Sequence, residues 1–212
     1  MAELIQQCLF IGSGVQLTLI LLVGGLFIGM ALGLLFACLR YQGIAKAAVN
    51  GLISVIRGTP VLLQLSFVYF ALPALLGLKP DLLGAGILTF GLNSSAYIAE
   101  ILRAGIENLP KGQFEAAKTL QIPTFYLWKD IVLPQVVKNI LPALINEMIA
   151  LLKETTLIAT VGGMDIMRRA ESVAAEQFTY FLPLCIAGAY YYALVLVLER
   201  LGKIIEQRGK IC

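Results

Sequence analysis

The sequence predicts an all-α membrane protein: one domain over residues 1–212 with about five transmembrane helices. Three observations predict it. Hydrophobic residues make up 59% of the 212 positions, with a mean hydropathy of +0.86. Charged residues fall to 14%, well under the roughly 25% of ordinary soluble domains. Apolar runs close to the roughly 20 residues needed to cross a bilayer recur five times along the chain. The longest polar block, residues 109–134, is too short for a separate catalytic domain.

The first span is expected at 15–39. No Lys or Arg precedes it, so it reads as an uncleaved span rather than a signal peptide. Gly24, Gly25, Gly29 and Gly33 give it the small-residue spacing of close helix packing. The second span is expected at 52–73. Gly58 and Pro60 at its start suit a tight entry and a first helical turn. Arg57 beside them reads either as a gate near a docked partner or as an anchor at the headgroups. The third span, 84–106, carries Thr89, Asn93, Ser94, Ser95, Tyr97 and Glu100. The fourth, 133–157, is the least apolar: Lys138, Asn139, Asn146, Glu147, Lys153 and Glu154 prevent it from facing lipid all round. The fifth is expected at 180–201. Cys8, Cys38, Cys185 and Cys212 form no CxxC pair and read as small fillers.

Basic residues set the expected orientation. The first connection holds Arg40, Lys46 and Arg57; the third holds Arg103, Lys111, Lys118, Lys129 and Lys138; the tail holds Arg200, Lys203, Arg208 and Lys210. Lys79, Lys153, Arg168 and Arg169 are left for the other side. The excess of positive charge predicts a periplasmic N-terminus, with residues 109–131 and the C-terminus in the cytoplasm.

Within that cytoplasmic loop, 110–121 is expected to be helical. Phe114, Ala117 and Leu120 share one face, and Glu115 and Lys118 are spaced to pair on another. Pro123 ends the helix, and Thr124 is placed to cap a second short helix at 125–130. Such a surface helix either receives a docked partner or lies on the membrane or its own bundle.

Glu115-Ala116-Ala117, followed at the matching distance by Ile131-x-Leu133-Pro134, resembles the EAA motif of ABC-importer permeases. Thr18-Leu19, Arg57-Gly58-Thr59-Pro60 with Gln64, Ala96 to Ile101, Gly112-Gln113, Leu133-Pro134-Gln135 and Lys153-Glu154-Thr155-Thr156-Leu157 are similar to the polar amino-acid branch of that family. The resemblance covers nearly the whole chain. It implies a type I ABC importer permease fold in the bacterial inner membrane and a coupling helix seated on an ATPase subunit. Gln113, Glu115, Ala116, Ala117, Leu120 and Gln121 would form the ATPase-coupling surface. The family pattern has Gly where this chain has Gln121, a position suited to a left-handed helix end. Implied partners are a second permease subunit (homo- or heterodimer), two cytoplasmic ATPase subunits binding ATP-Mg, an extracytoplasmic amino-acid-binding protein and membrane lipid; no nucleic acid is expected.

The chain has no histidine, which removes His-based triads, metal sites and proton relays. It also has no GxxxxGK[ST], so any ATP hydrolysis belongs to another chain and no cofactor or metal is expected here. Polar groups at membrane depth mark pathways or bond to one another between helices. The candidate substrate-binding set is Gln64, Thr89, Asn93, Ser95, Tyr97, Glu100 and Glu154. Carboxylates in such a set favour cationic amino-acid side chains. The expected function is ATP-driven import of polar, including basic, amino acids by alternating access. An ATP-independent secondary amino-acid transporter and a scaffold subunit that carries nothing are the alternatives.

Overall fold

The computed structural model describes residues 2–77 and 80–209. Lys79, Lys210 and Cys212 lie outside them. The described chain is helical throughout: α1 (Ala2–Gly12), α2 (Val15–Tyr41), α3 (Lys46–Gly58), α4 (Val61–Ser66), α5 (Leu72–Leu76), α6 (Leu82–Glu107), α7 (Lys111–Thr119), α8 (Thr124–Tyr126), α9 (Leu133–Glu154), α10 (Ile166–Gln177) and α11 (Phe181–Gly209). Four helical stretches are long and apolar enough to cross a membrane, and a sharply bent pair makes a fifth. The expected all-α bundle is therefore the observed one.

The second span differs from the straight run expected at 52–73. Helix α3 and the stretch Val61–Leu75 meet at 103°. Pro60 has no N–H and disfavours helical geometry in the residue before it; Thr59 accordingly lies extended at φ −116°, ψ 144°. Beyond the bend, α4 and α5 are joined by a π-turn, Phe67–Ala71, just before Pro73. A second π-turn, Leu127–Val132, precedes Pro134 and joins α8 to α9. A widened turn relieves the clash between a proline ring and the carbonyl four residues back. The fourth span thereby becomes one stretch, Thr124–Val161. Thr124 is its first helical residue and makes no side-chain cap, correcting the capping role expected for it.

Two helices were not expected. Helix α1 precedes the first span, and α10 fills the connection before α11. They pack together through Ile11, Ile166, Ala170 and Val173, with Ala187 of α11. Asp165 caps α10, its Oδ1 accepting from Arg168 N at 2.9 Å and its Oδ2 from Tyr191 Oη at 2.9 Å.

The centre of the bundle is α2 against α6. A Cβ on Gly91 would come within 2.7 Å of Ile28 Cβ, and one on Gly29 within 2.9 Å of Ser94 Cβ. Only glycine permits this approach, which brings the polar face of α6 into the interior. Leu21, Leu22, Leu65, Phe90, Leu151 and Leu152 pack the apolar core around it.

Candidate functional site

Helices α6 and α9 place the polar residues of the third and fourth spans opposite one another. Asn93 Nδ2 donates to Glu154 Oε2 at 3.0 Å, and Ser94 Oγ donates to Glu147 Oε1 at 2.7 Å. Both glutamates are half-buried, while Asn93 and Ser94 are fully buried. The two glutamates lie seven residues apart on one helix, a backbone rise of about 10 Å, and their carboxyl groups reach the adjacent residues Asn93 and Ser94. Among the described residues neither glutamate forms an ion pair with Lys or Arg. Two half-buried, unpaired carboxylates are costly inside a bundle.

The other expected site residues divide. Glu100 shares a helical face with Asn93 but is already occupied: Arg40 binds one oxygen, Arg103 Nη2 donates to the other at 2.9 Å, and Arg57 Nη1 lies 3.6 Å from it. Glu100 is thus the centre of an arginine cluster. Tyr97 lies under Arg57, whose guanidinium is 5.3 Å from the ring centroid. Gln64 Nε2 donates across the bend to Ile56 O at 2.8 Å, Thr59 O at 3.2 Å and Thr59 Oγ1 at 2.9 Å, so it braces the broken span. Thr89 and Ser95 are buried and bond their own helix at Ala85 O and Leu92 O. Of the expected set, Tyr97 and Glu100 meet at Arg57, and Asn93 and Glu154 meet between α6 and α9. Glu147 and Ser94 complete that place. The i, i+7 spacing of the two glutamates was the sequence signal for the first, and the second had none beyond its polarity.

The loop after α6 forms its helix with two unlike faces. Phe114 packs against Leu109, Val132, Val136 and Ile140, and Ala117 is buried. Gln113 and Gln135 exchange amide hydrogen bonds of 3.0 and 2.9 Å. Gln113 and Ala117 thus hold α7 to its own bundle. Glu115, Ala116, Leu120 and Gln121 face outward, and Glu115 forms no ion pair with Lys118. Leu120 is 72% exposed, Phe125 67% and Tyr126 54%. This apolar patch was not expected at Phe125 and Tyr126, whose aromatic pair after Pro123 was its sequence trace.

Residues 29–210 match the family described as the binding-protein-dependent transport system inner membrane component. The chain belongs to that family. The arginine transport system permease protein ArtQ of Bacillus subtilis is 43% identical over 208 residues, covering 97% of this permease and 95% of that protein. A Rickettsia typhi protein, provisionally assigned as a glutamine transport system permease, is 44% identical over 204 residues, covering 95% and 94%. The crystal structure of an amino acid ABC transporter with histidines superposes at a TM-score of 0.90 with 35% identity, covering 98% of this chain and 97% of that one.

The permease is thus a multi-pass integral membrane protein and the transmembrane subunit of an ATP-driven importer. It is not itself an enzyme; the family implies a separate ATPase, a binding protein and a second permease. On the connection before α10, Asp165 is fully buried as a cap, so it presents no charge to a docking partner. Arg168 pairs with Glu171 at 3.5 Å, and Arg169 lies 5.0 Å over the Phe10 ring.

Proposed function

We propose that the permease carries basic amino acids, with Glu147 and Glu154 as the groups that accept the cargo's positive charge. The unpaired state of these two carboxylates carries the reading. Similarity does not choose between cargoes, because the relatives named for arginine and for glutamine are 43% and 44% identical. The local chemistry favours the basic cargo: a cationic side chain adds a second positive charge, beyond the α-ammonium that every amino acid carries, to match two half-buried carboxyl groups. Asn93 and Ser94 hold the carboxylates in place by hydrogen bonds.

The permease supplies half of a path. On α9, Asn139, Asn146 and Lys153 repeat every seven residues on a face exposed from this bundle. Polar groups on that face favour cover by a second permease subunit rather than lipid. The excess of basic residues supports a cytoplasmic position for residues 109–131, and the family supports a bacterial inner membrane. There the exposed side of α7, with Glu115, Ala116 and Leu120, meets the ATPase. ATP-Mg closes the two ATPase chains, α7 follows, and the spans turn outward to receive cargo from the binding protein.

The deciding experiment reconstitutes the permease with its ATPase and binding protein in liposomes. Arginine, lysine or histidine should stimulate ATP hydrolysis well above glutamine. Stimulation by glutamine with none by the cations would overturn the cargo reading.

A further inference from the structure

Two features of α6 lie in line. Asn93, which bonds Glu154, is followed on the same face by Tyr97 and Glu100. The helical rise puts these about 6 and 10 Å nearer the α7 end than Asn93. At that level the charge inverts. Above stand two unpaired carboxylates; below, Arg40, Arg57 and Arg103 surround Glu100, and only Glu107 adds a second negative charge. A cavity of about 360 Å³ opens there, lined in part by Arg57, Tyr97, Glu100, Arg103 and Asn139.

We propose that Arg57, Tyr97 and Glu100 form the inner gate of the translocation path, closing it with positive charge beneath the cargo site. This rests on the cargo reading above. Arg57 lies in the last turn of α3, beside the bend of the broken span. Stacked on Tyr97 and paired with Glu100, it ties the bent span to α6 across the crease between α6 and α9. A basic amino acid at Glu154 meets like charge on its way down. Rotation of α3 about Thr59-Pro60 withdraws the guanidinium and opens the exit. The link to the coupling segment is short: Tyr41, next to Arg40, packs edge-on against Trp128 at 4.8 Å between centroids. Movement of the π-turn after α8 thereby reaches the neighbour of an arginine that holds Glu100.

The test is leak without ATP. Liposomes containing the whole complex are loaded with labelled arginine or glutamine, and efflux is followed for wild type, Arg57→Lys, Arg57→Gln and Tyr97→Leu. Arg57→Gln should raise arginine efflux about tenfold, equivalent to about 1.4 kcal/mol of lost barrier, and glutamine efflux less. Tyr97→Leu should raise it by a smaller factor, and Arg57→Lys should stay near wild type. Variants that all seal like wild type while hydrolysing ATP overturn the gate. So does an equal rise for both amino acids, which marks a packing defect alone. Failure of the cargo reading registers separately, in wild type, as ATP-driven uptake of glutamine but not arginine. The gate is then scored on glutamine efflux, where an unchanged rate in Arg57→Gln overturns it.

Discussion

Gln121 sits at φ 55°, in the left-handed region. It closes α7 in a Schellman arrangement: Ile122 N donates to Ala117 O at 2.9 Å and Gln121 N to Lys118 O at 3.2 Å. A side chain there costs about 1 kcal/mol that glycine avoids. Gln121→Gly should therefore raise the melting temperature of the purified permease, and a fall would show that the Gln121 side chain contributes more than its strain costs. Asp165 is the opposite case, a residue whose side chain makes the turn. Burial pushes its carboxyl above the usual aspartate range, against the hydrogen bonds from Arg168, Tyr191 and Met167. Because the folded pKa is raised, the associated stability is complete below the ordinary aspartate pKa and is lost as pH rises through the raised one. Asp165→Asn keeps an effective cap and should flatten that pH dependence, measured by thermal unfolding across pH. Asp165→Ala should cost about 1 kcal/mol.

At the scale of elements, α7 joins a supported inner face to an open outer one. Phe114, Ala117 and the Gln113–Gln135 pair fix the helix, and Glu115 is free of intramolecular partners that its replacement would disturb. Glu115→Lys should thus leave insertion and folding intact while abolishing transport-linked ATP hydrolysis. Measured in the assembled complex, unchanged coupling would refute the docking role. The broken span has the same economy of parts. One proline makes the bend, and one glutamine, Gln64, supplies the carbonyls beside it with the donors that the lost helical bonds withheld. Hinge and brace, Pro60 and Gln64, lie four residues apart in sequence.

Across the whole molecule, charge is layered. Carboxylates occupy the middle of the α6–α9 face, and arginines occupy the end nearer α7. Glu154→Gln should weaken uptake of arginine far more than any residual uptake of glutamine, read as separate concentration dependences in liposomes. Equal loss for both would sink the charge-matching role of Glu154. The layering also requires close packing. A methyl group on Gly29 would press on Ser94, which holds Glu147, so the glycine face of α2 and the polar face of α6 form one construction.

By itself the sequence determined the all-helical membrane fold and the family, because hydropathy over about 20 residues and short polar motifs are local properties of the chain. It also marked Asn93, Glu147 and Glu154, since polar groups are rare and costly at membrane depth. Helices α1 and α10 escaped notice because they are short and amphipathic and bury their apolar sides against each other, α11 and Val15 of α2. The division of the α6 face was equally invisible. Asn93, Tyr97 and Glu100 share one helical stripe, and nothing local says that Glu154 of α9 meets the first while Arg40 of α2 and Arg57 of α3 claim the last. Electrostatic partners are chosen by distance in space, and residues 60 positions apart in sequence become neighbours only when the glycine-lined helices close.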